Sequence, residues 1–481
     1  MTEIEYQRWL RNDQARRTVL LEIDTDPVRR LSVIPYTTLP DDATPNVKYD
    51  ALIKGGVGYR EQLSLDGGST GSYASIELHN EDGSLDPWLG SVWKNREIRV
   101  YYGDVAWERA DYRLVAAGVV DRCEQSRDTM TITLVDPLER LDNAVTEQLL
   151  GGSGQEADRL MPVCLGECHN ITPRLVNAAT HTYRWHGTTV ERLIEVRDRG
   201  VPVSATASGG QFTLAVEPDG AVTASVQGDA AGGYVNTVAG LIQRLVTGYG
   251  PAASRFTSSD LDTANLAAFD SAHPQPVGLY LEDYATVVQC VVELAASVGA
   301  QAVMSRTGKL RLLRVNLPAS GTPAVIQPHD YEDQSLEVVG QSAVVAGVRL
   351  GYCPNWTPRQ NIAEGVPSEH RDLYAQEWLT VTATAPSVAD EYRISTETEQ
   401  VNTLLLTKED AQAEANRRLA LWSVPRTVIR VRGFAQLLDL ELGQAATIYG
   451  DRFGLESGKT GQIVGLDPDW VAGRCDVEVL L

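Results

Sequence analysis

Between residues 75 and 136, apolar and polar side chains alternate with a period of two. Ile76 and Leu78 precede a break at Asn80-Glu81-Asp82-Gly83. Ile98 and Val100 precede Gly103-Asp104. Leu114, Val115, Val119 and Val120 bracket Gly118, and Met130, Ile132 and Leu134 alternate with threonines. Period-two alternation bounded by Gly, Asn and Asp predicts antiparallel strands with one buried face. Upstream, residues 18–23 read as a strand, with weaker ones at 31–34, 50–53 and 62–65. Residues 1–17 read as a short helix or arm, and residues 137–141 as a helical turn.

Gly151-Gly152-Ser153-Gly154 marks a boundary. Strand-and-turn character then continues to about residue 230, with a hairpin expected between 211–216 and 222–226 over Pro218-Asp219-Gly220. The period then changes to 3.6. Over 234–249, Val235, Val238, Leu241, Ile242, Leu245 and Val246 share one helical face, ending at Gly248 and Gly250. Further helices are expected over 258–269 and over 281–298, the latter with Tyr284 on its apolar face. Residues 301–304 and 310–315 form a hairpin over Arg306-Thr307-Gly308. A Pro- and Gly-containing linker follows, then strands at 335–339 and 343–350. A helix over 408–422 follows, capped by Thr407 with Asp410 at its third position.

The C-terminal sixty residues echo the opening stretch. Residues 445–451 line up with 98–104, 460–465 with 116–121, and 476–481 with 129–134, in the same order. The fold expected is therefore mainly β with an α+β insert, with two small antiparallel β-barrels related by an internal repeat. The expected divisions are 1–150 (first β-barrel domain), 151–230 (β-rich insertion), 231–320 (α+β) and 321–481 (second β-barrel domain). Closure into barrels would remove exposed sheet edges. The turns Gly103-Asp104 and Gly450-Asp451 mark the matched places and are candidate assembly turns.

Charge changes the picture next. The 481 residues carry a formal net charge of −22, which opposes a surface that clamps DNA phosphates but suits one that DNA slides past. No stretch has the length and apolarity of a membrane span. The N-terminus lacks a signal-peptide pattern, so synthesis and assembly in a cytoplasm, with reduced thiols, are expected. The six cysteines are dispersed, apart from Cys164 and Cys168 with His169 beside them. These three could hold zinc or part of an iron–sulfur cluster, but no second cysteine pair completes a site. No metal or cofactor is expected.

A search for catalytic motifs yields turns. Gly67-Gly68-Ser69-Thr70-Gly71 matches G-x-S-x-G, but a strand follows it where a nucleophile elbow needs a helix. The loop from Gly454 to Thr460 is one residue short of a phosphate loop and also leads into a strand. The acidic segment from Asn80 to Asp86 lacks calcium-loop spacing and reads as a turn in which Asn and Asp bond their own backbone. No catalytic residue is nominated and no enzyme is expected.

N-E-D-G-S-L-D-P-W-L, W-K-N-R-E-I-R-V-Y-Y-G-D, Y-R-L-V-A-A-G-V-V-D-R and T-I-T-L-V-D-P-L-E-R-L, in this order, resemble the N-terminal barrel of the tail hub proteins of long-tailed bacteriophages. M-P-V-C-L-G-E-C-H-N-I-T-P-R-L-V, T-Y-R-W-H-G and V-R-D-R-G-V-P-V resemble the segment that follows there. A-N-R-R-L-A-L-W-S, L-G-Q-A-A-T-I-Y and G-Q-I-V-G-L-D resemble the second barrel. Cys164 departs from the pattern, standing where an aromatic or aliphatic residue is expected. The resemblance implies a structural virion protein, a homotrimer at the distal end of a tail tube. Three chains would present six barrels to a hexameric tube. The implied partners are the tail tube, distal tail proteins and tip or fibre proteins, with DNA only passing through the lumen and no stable membrane insertion. A different tail-tip or receptor-binding component, or a tail-associated cell-wall hydrolase, are the competing readings.

Overall fold

The computed structural model describes residues 1–65, 73–152, 154–359 and 362–481. Strands hold 39% of the chain and helices 20%, which makes it mainly β. The chain divides into two compact units, each discontinuous in sequence. The first comprises Met1–Glu139, Val303–Ala343 and Pro425–Leu481; the second comprises Arg140–Ala302 and Val344–Val424.

The first unit is built on one sheet of 15 strands. Two stretches of it share a strand order. In the N-terminal stretch, Ile53–Gln62 pairs with Tyr73–His79, then Thr129–Val135, then Arg113–Gln125, then Glu97–Asp104. In the C-terminal stretch, Glu337–Gln341 pairs with Thr427–Phe434, then Arg474–Leu480, then Lys459–Asp469, which in turn pairs with Ala445–Ile448. Numbered along the chain, both stretches run first, second, fifth, fourth, third, and every pairing is antiparallel. A short 3-10 turn separates second from third strand in each, Asp86–Gly90 and Ala435–Asp439. Among the described residues none of the sheets closes on itself.

Alternation explains these strands. Thr129–Val135 buries Met130, Ile132 and Leu134 and half-buries the residues between. Lys459–Asp469 and Arg474–Leu480 are more continuously buried, with Ile463, Val464, Leu466, Val477 and Val479 nearly inaccessible. At the N-terminus, Glu3–Leu10 is a helix closed by a reciprocal Thr2–Glu5 capping box. It turns Tyr6, Trp9 and Leu10 into the core.

In the second unit, a five-stranded sheet runs Val201–Val203, Val190–Asp198, Val222–Asp229, Val163–Ile171 and Gly278–Leu281. A four-stranded sheet runs Arg174–Asn177, Thr182–Arg184, Gln211–Leu214 and Ala205–Ser208. The expected hairpin over Pro218-Asp219-Gly220 does not form, because its two arms belong to different sheets. Val222–Asp229 is buried almost throughout and sits as an inner strand. Gln211–Leu214 alternates and pairs elsewhere. The turn itself is held by Asp198, whose carboxylate accepts the Asp219 and Gly220 amides at 2.6 and 3.0 Å.

The helices follow the 3.6 period. Val238–Gly248, Thr263–Ala272, Val287–Ser297 and Lys408–Trp422 carry side-chain N-caps from Thr237, Asp262, Thr286 and Thr407. The cap at Thr286 starts its helix later than the apolar pattern suggested. Tyr284 therefore lies before the helix and is 69% exposed. No described helix is long and apolar enough to cross a membrane.

Candidate functional site

Cys164 and Cys168 lie in the strand Val163–Ile171, four residues apart, so their side chains share a face. Both are fully buried in a cluster with Ile171, Trp185, Phe212, Val226 and Tyr280. Burial, reinforced by the neighbouring Cys164 thiol, pushes the Cys168 thiol far up. Glycines let the flanking strands close over this face. A Cβ on Gly228 would lie 2.0 Å from the Cys164 carbonyl oxygen, and one on Gly278 would lie 1.8 Å from that of Glu167. His169 is the odd-numbered neighbour and points away, its Nε2 lying 3.1 Å from the Glu167 carboxylate. It lines a cavity of about 330 Å³ with Asn170, Arg197, Cys353, Asn355 and Tyr374. The buried imidazole nearest the cysteines is that of His186, whose Nδ1 accepts the Cys164 amide at 3.2 Å. Burial lowers its pKa, which keeps that nitrogen an acceptor. Among the described residues, no three His, Cys, Asp or Glu side chains converge to hold a metal ion.

Gly103 and Asp104 close the strand Glu97–Asp104 rather than an exposed turn. A Cβ on Gly103 would come within 2.6 Å of the Tyr112 ring. Asp104 is buried. Its carboxylate accepts Trp9 Nε1 and the Arg16 amide, each at 2.9 Å, and the Ala106 amide at 3.1 Å. It ties the N-terminal helix to the sheet. Gly450 is packed against Leu336, while Asp451 lies in an exposed turn. The Asn80 loop is a self-bonded turn. Asn80 Oδ1 accepts the Leu85 amide at 2.8 Å, Asp82 accepts the Ser84 amide at 3.0 Å, and Gly83 has a φ of +71°. Gly454 and Gly458 also take positive φ, in a turn that feeds Lys459–Asp469. Residues 67–71, the G-x-S-x-G match, lie outside the described residues.

The sheet of the first unit carries a further feature that the motifs did not point to. Lys459–Asp469 has Arg474–Leu480 along one edge. Along the other edge it has Ala445–Ile448 for its first half and Ile53–Gln62 for its second half. At this junction Gly465 faces Gln62, Leu466 faces Glu61 and Asp469 faces Gly58. Arg113–Gln125, in the corresponding place, has Glu97–Asp104 along one edge only as far as Val119. Its other edge is paired with Thr129–Val135. Among the described residues, no strand and no main-chain hydrogen bond meets the first edge over residues 121–125. Glu337–Gln341 is likewise an end strand, paired only with Thr427–Phe434 and exposed at all five residues.

Charge surrounds the junction. Arg430 meets Glu478 at 2.5 Å and Glu337 at 3.3 Å, and Arg432 meets Asp476 at 3.3 Å. Glu61 is 5% exposed and accepts the Arg306 amide at 3.1 Å. Burial raises its pKa against the pull of the Arg306 charge.

The chain matches no family model and no curated protein. Among solved structures it is similar to the tail protein from Neisseria meningitidis MC58, with 10% identity and a TM-score of 0.43 over 96% of each chain. It is similar to the 43 kDa tail protein of prophage MuSo2 from Shewanella oneidensis, with 10% identity and a TM-score of 0.42 over 96% of this chain and 98% of that one. A protein of the native gene transfer agent virion aligns at 13% identity and a TM-score of 0.46, over 72% of this chain and 91% of that one.

Proposed function

We propose that this chain is a structural component of a phage tail, the hub at the distal end of the tail tube. It adapts a hexameric tube to a trimeric tip and forms part of the channel through which DNA leaves. The observation that carries the reading is the repeated strand order in the first unit, five strands in the same sequence and sense on each side of the junction. Matched through their bulges, at residues 463–465 and 120–122, the two copies put Ile448 beside Val100 and Val431 beside Ile76, all buried. On this register Gly450 stands beside Tyr102, one place before Gly103. Two like modules per chain turn three chains into a ring of six, which is what a sixfold tube requires of a threefold tip.

The modules act as tube-like barrels completed on assembly, and the negative charge of −22 keeps DNA from pairing with the lumen wall. The tip location and the tube, distal-tail and fibre partners follow from the hub role. The role is non-enzymatic. All nine tryptophans are described and none is exposed, four being buried and five half-buried; the exposed aromatic rings include Tyr284, Tyr392, Phe434 and Phe453.

The experiment is native mass measurement of the full-length protein, alone and with the tube protein of its own phage. Three-chain species that cap hexameric tube rings are expected. A single-chain mass at micromolar concentration, with no tube capping, sinks the reading.

A further inference from the structure

The edge of the sheet that Lys459–Asp469 offers to Ile53–Gln62 inside the chain has a counterpart in the other module, and among the described residues no strand pairs with that counterpart, where the Gln125 side chain donates to Asp86. We propose that residues 122–126 of one chain pair antiparallel with Glu337–Gln341 of a second copy, reproducing between chains the junction seen within one. The inference rests on the trimeric reading above and supplies its interface.

The register follows from the pairings. Ile463 faces Val479 and Val120 faces Leu134 immediately before the bulge in each module, so Leu466 corresponds to Cys123 and Asp469 to Ser126. Glu337 faces Arg430 and Gly58 faces Ser75, and these positions correspond through Glu478 and Thr133. Glu337 therefore stands in the place of Gly58, Val338 in that of Tyr59, and, past the bulged Val339, Gln341 in that of Glu61. Within the chain, Gly58 faces Asp469 and Glu61 faces Leu466. Between chains, Glu337 then faces Ser126, Val338 faces Gln125, and Gln341 faces Cys123.

The chemistry of the edge agrees. An open edge strand is a template for pairing, and monomeric proteins blunt such edges with charged side chains, Pro, bulges or a covering element. Glu337–Gln341 carries Glu337 and a bulge at Val339 but neither Lys nor Pro, and it presents Val338 and Val339 at 43% and 38% exposure. The donor edge and the acceptor edge are different surfaces. The contact is therefore head-to-tail, and such contacts close into a ring when the rotation allows. One donor and one acceptor per chain, together with one internal junction per chain, give alternating internal and external joints around the ring.

Facing residues of antiparallel strands have Cα atoms about 4.5–5.5 Å apart, within the span of a disulfide. Full-length Gln341→Cys, which retains the native Cys123, is oxidised with copper–phenanthroline and resolved on a non-reducing gel beside a native mass spectrum. A covalent ladder ending at three chains, abolished by adding Cys123→Ser, is expected. Val338→Cys with Gln125→Cys in a Cys123→Ser background tests the same register independently. A three-chain mass with no cross-link from either pair overturns the edge pairing while leaving the trimer standing. A cross-link indifferent to Cys123→Ser, or a ladder running past three chains, also overturns it. A single-chain mass instead removes the trimeric reading on which it rests.

Discussion

Asp104 shows how one side chain can hold an element in place. Its carboxylate accepts three N–H groups, two of them from the N-terminal arm. Asp104→Ala would leave Trp9 Nε1 and the main-chain amides of Arg16 and Ala106 without that acceptor, at a cost of about 2–3 kcal/mol. The loss should appear in urea unfolding followed by tryptophan fluorescence, with Asp104→Asn recovering part of it. Glu22 makes a pH-dependent contribution. Burial pushes its carboxyl up, but the Tyr49 hydroxyl at 2.5 Å and the Arg109 guanidinium at 3.0 Å outweigh that and hold it below its ordinary value near 4.5. A depressed carboxylate stabilises the fold above its unfolded pKa, and that contribution drains away as pH falls through the folded one. Stability of the wild-type protein should therefore fall below about pH 4.5. Glu22→Gln should be less stable at pH 7 by about 1–2 kcal/mol and lose less between pH 5 and 3. Equal slopes for the two proteins would show that Glu22 does not supply this term.

Among the elements, the strand Val163–Ile171 decides the fate of the cysteine cluster. A strand sends odd and even neighbours to opposite faces, so Cys168 enters the core and His169 leaves it. Adjacent letters in the sequence looked like a ligand set, and only the strand assignment separates them. Thiol titration should reflect the burial. In the folded protein Cys164, Cys168, Cys290 and Cys475 should resist a disulfide reagent at pH 8, with burial raising Cys290 and Cys475 to about 12. Half-exposed Cys123, raised to about 11 mainly by burial, should react slowly, and all six should react in denaturant. Rapid labelling of Cys164 in the native state would contradict this packing.

Legibility differed by element for physical reasons. Lys408–Trp422 was readable because its cap and its stop are local. The strand Ile53–Gln62 was not, because Gly55, Gly56 and Gly58 interrupt the apolar alternation that marks a strand, and residues 62–65 drew attention past its end. Val222–Asp229 was recognised as a strand but given the wrong neighbour, since a good turn sequence says nothing about which sheet each arm joins.

At the scale of the whole molecule, the segments matched in sequence at the two ends all fall on strands, but their pairings shift the match, by one residue for 445–451 and 460–465 and by two for 476–481, because the bulges at 120–122 and 463–465 have no local signature. The first and second strands of each module carry no shared letters, and only the pairing order reveals them. That order is long-range information, set by which edges are satisfied. The discontinuous units were hidden for the same reason, since contacts between the two ends of the chain leave no local signature. The native mass and the inter-chain cross-link proposed above both probe this scale.

The junction between Ile53–Gln62 and Lys459–Asp469 also sets a timetable. Its two strands are separated by about 400 residues of chain. At a synthesis rate of roughly 5–20 residues per second, Gln62 waits about 20–80 s for Gly465 to be made. During that interval the glycine-rich strand has no neighbour on its outer edge, and long-range pairing of this kind is slow to form. The sheet of the first unit therefore completes only after Lys459–Asp469 has been made. A chain truncated before Lys459 would keep that joint permanently open, so making the second module is the step that shuts the first.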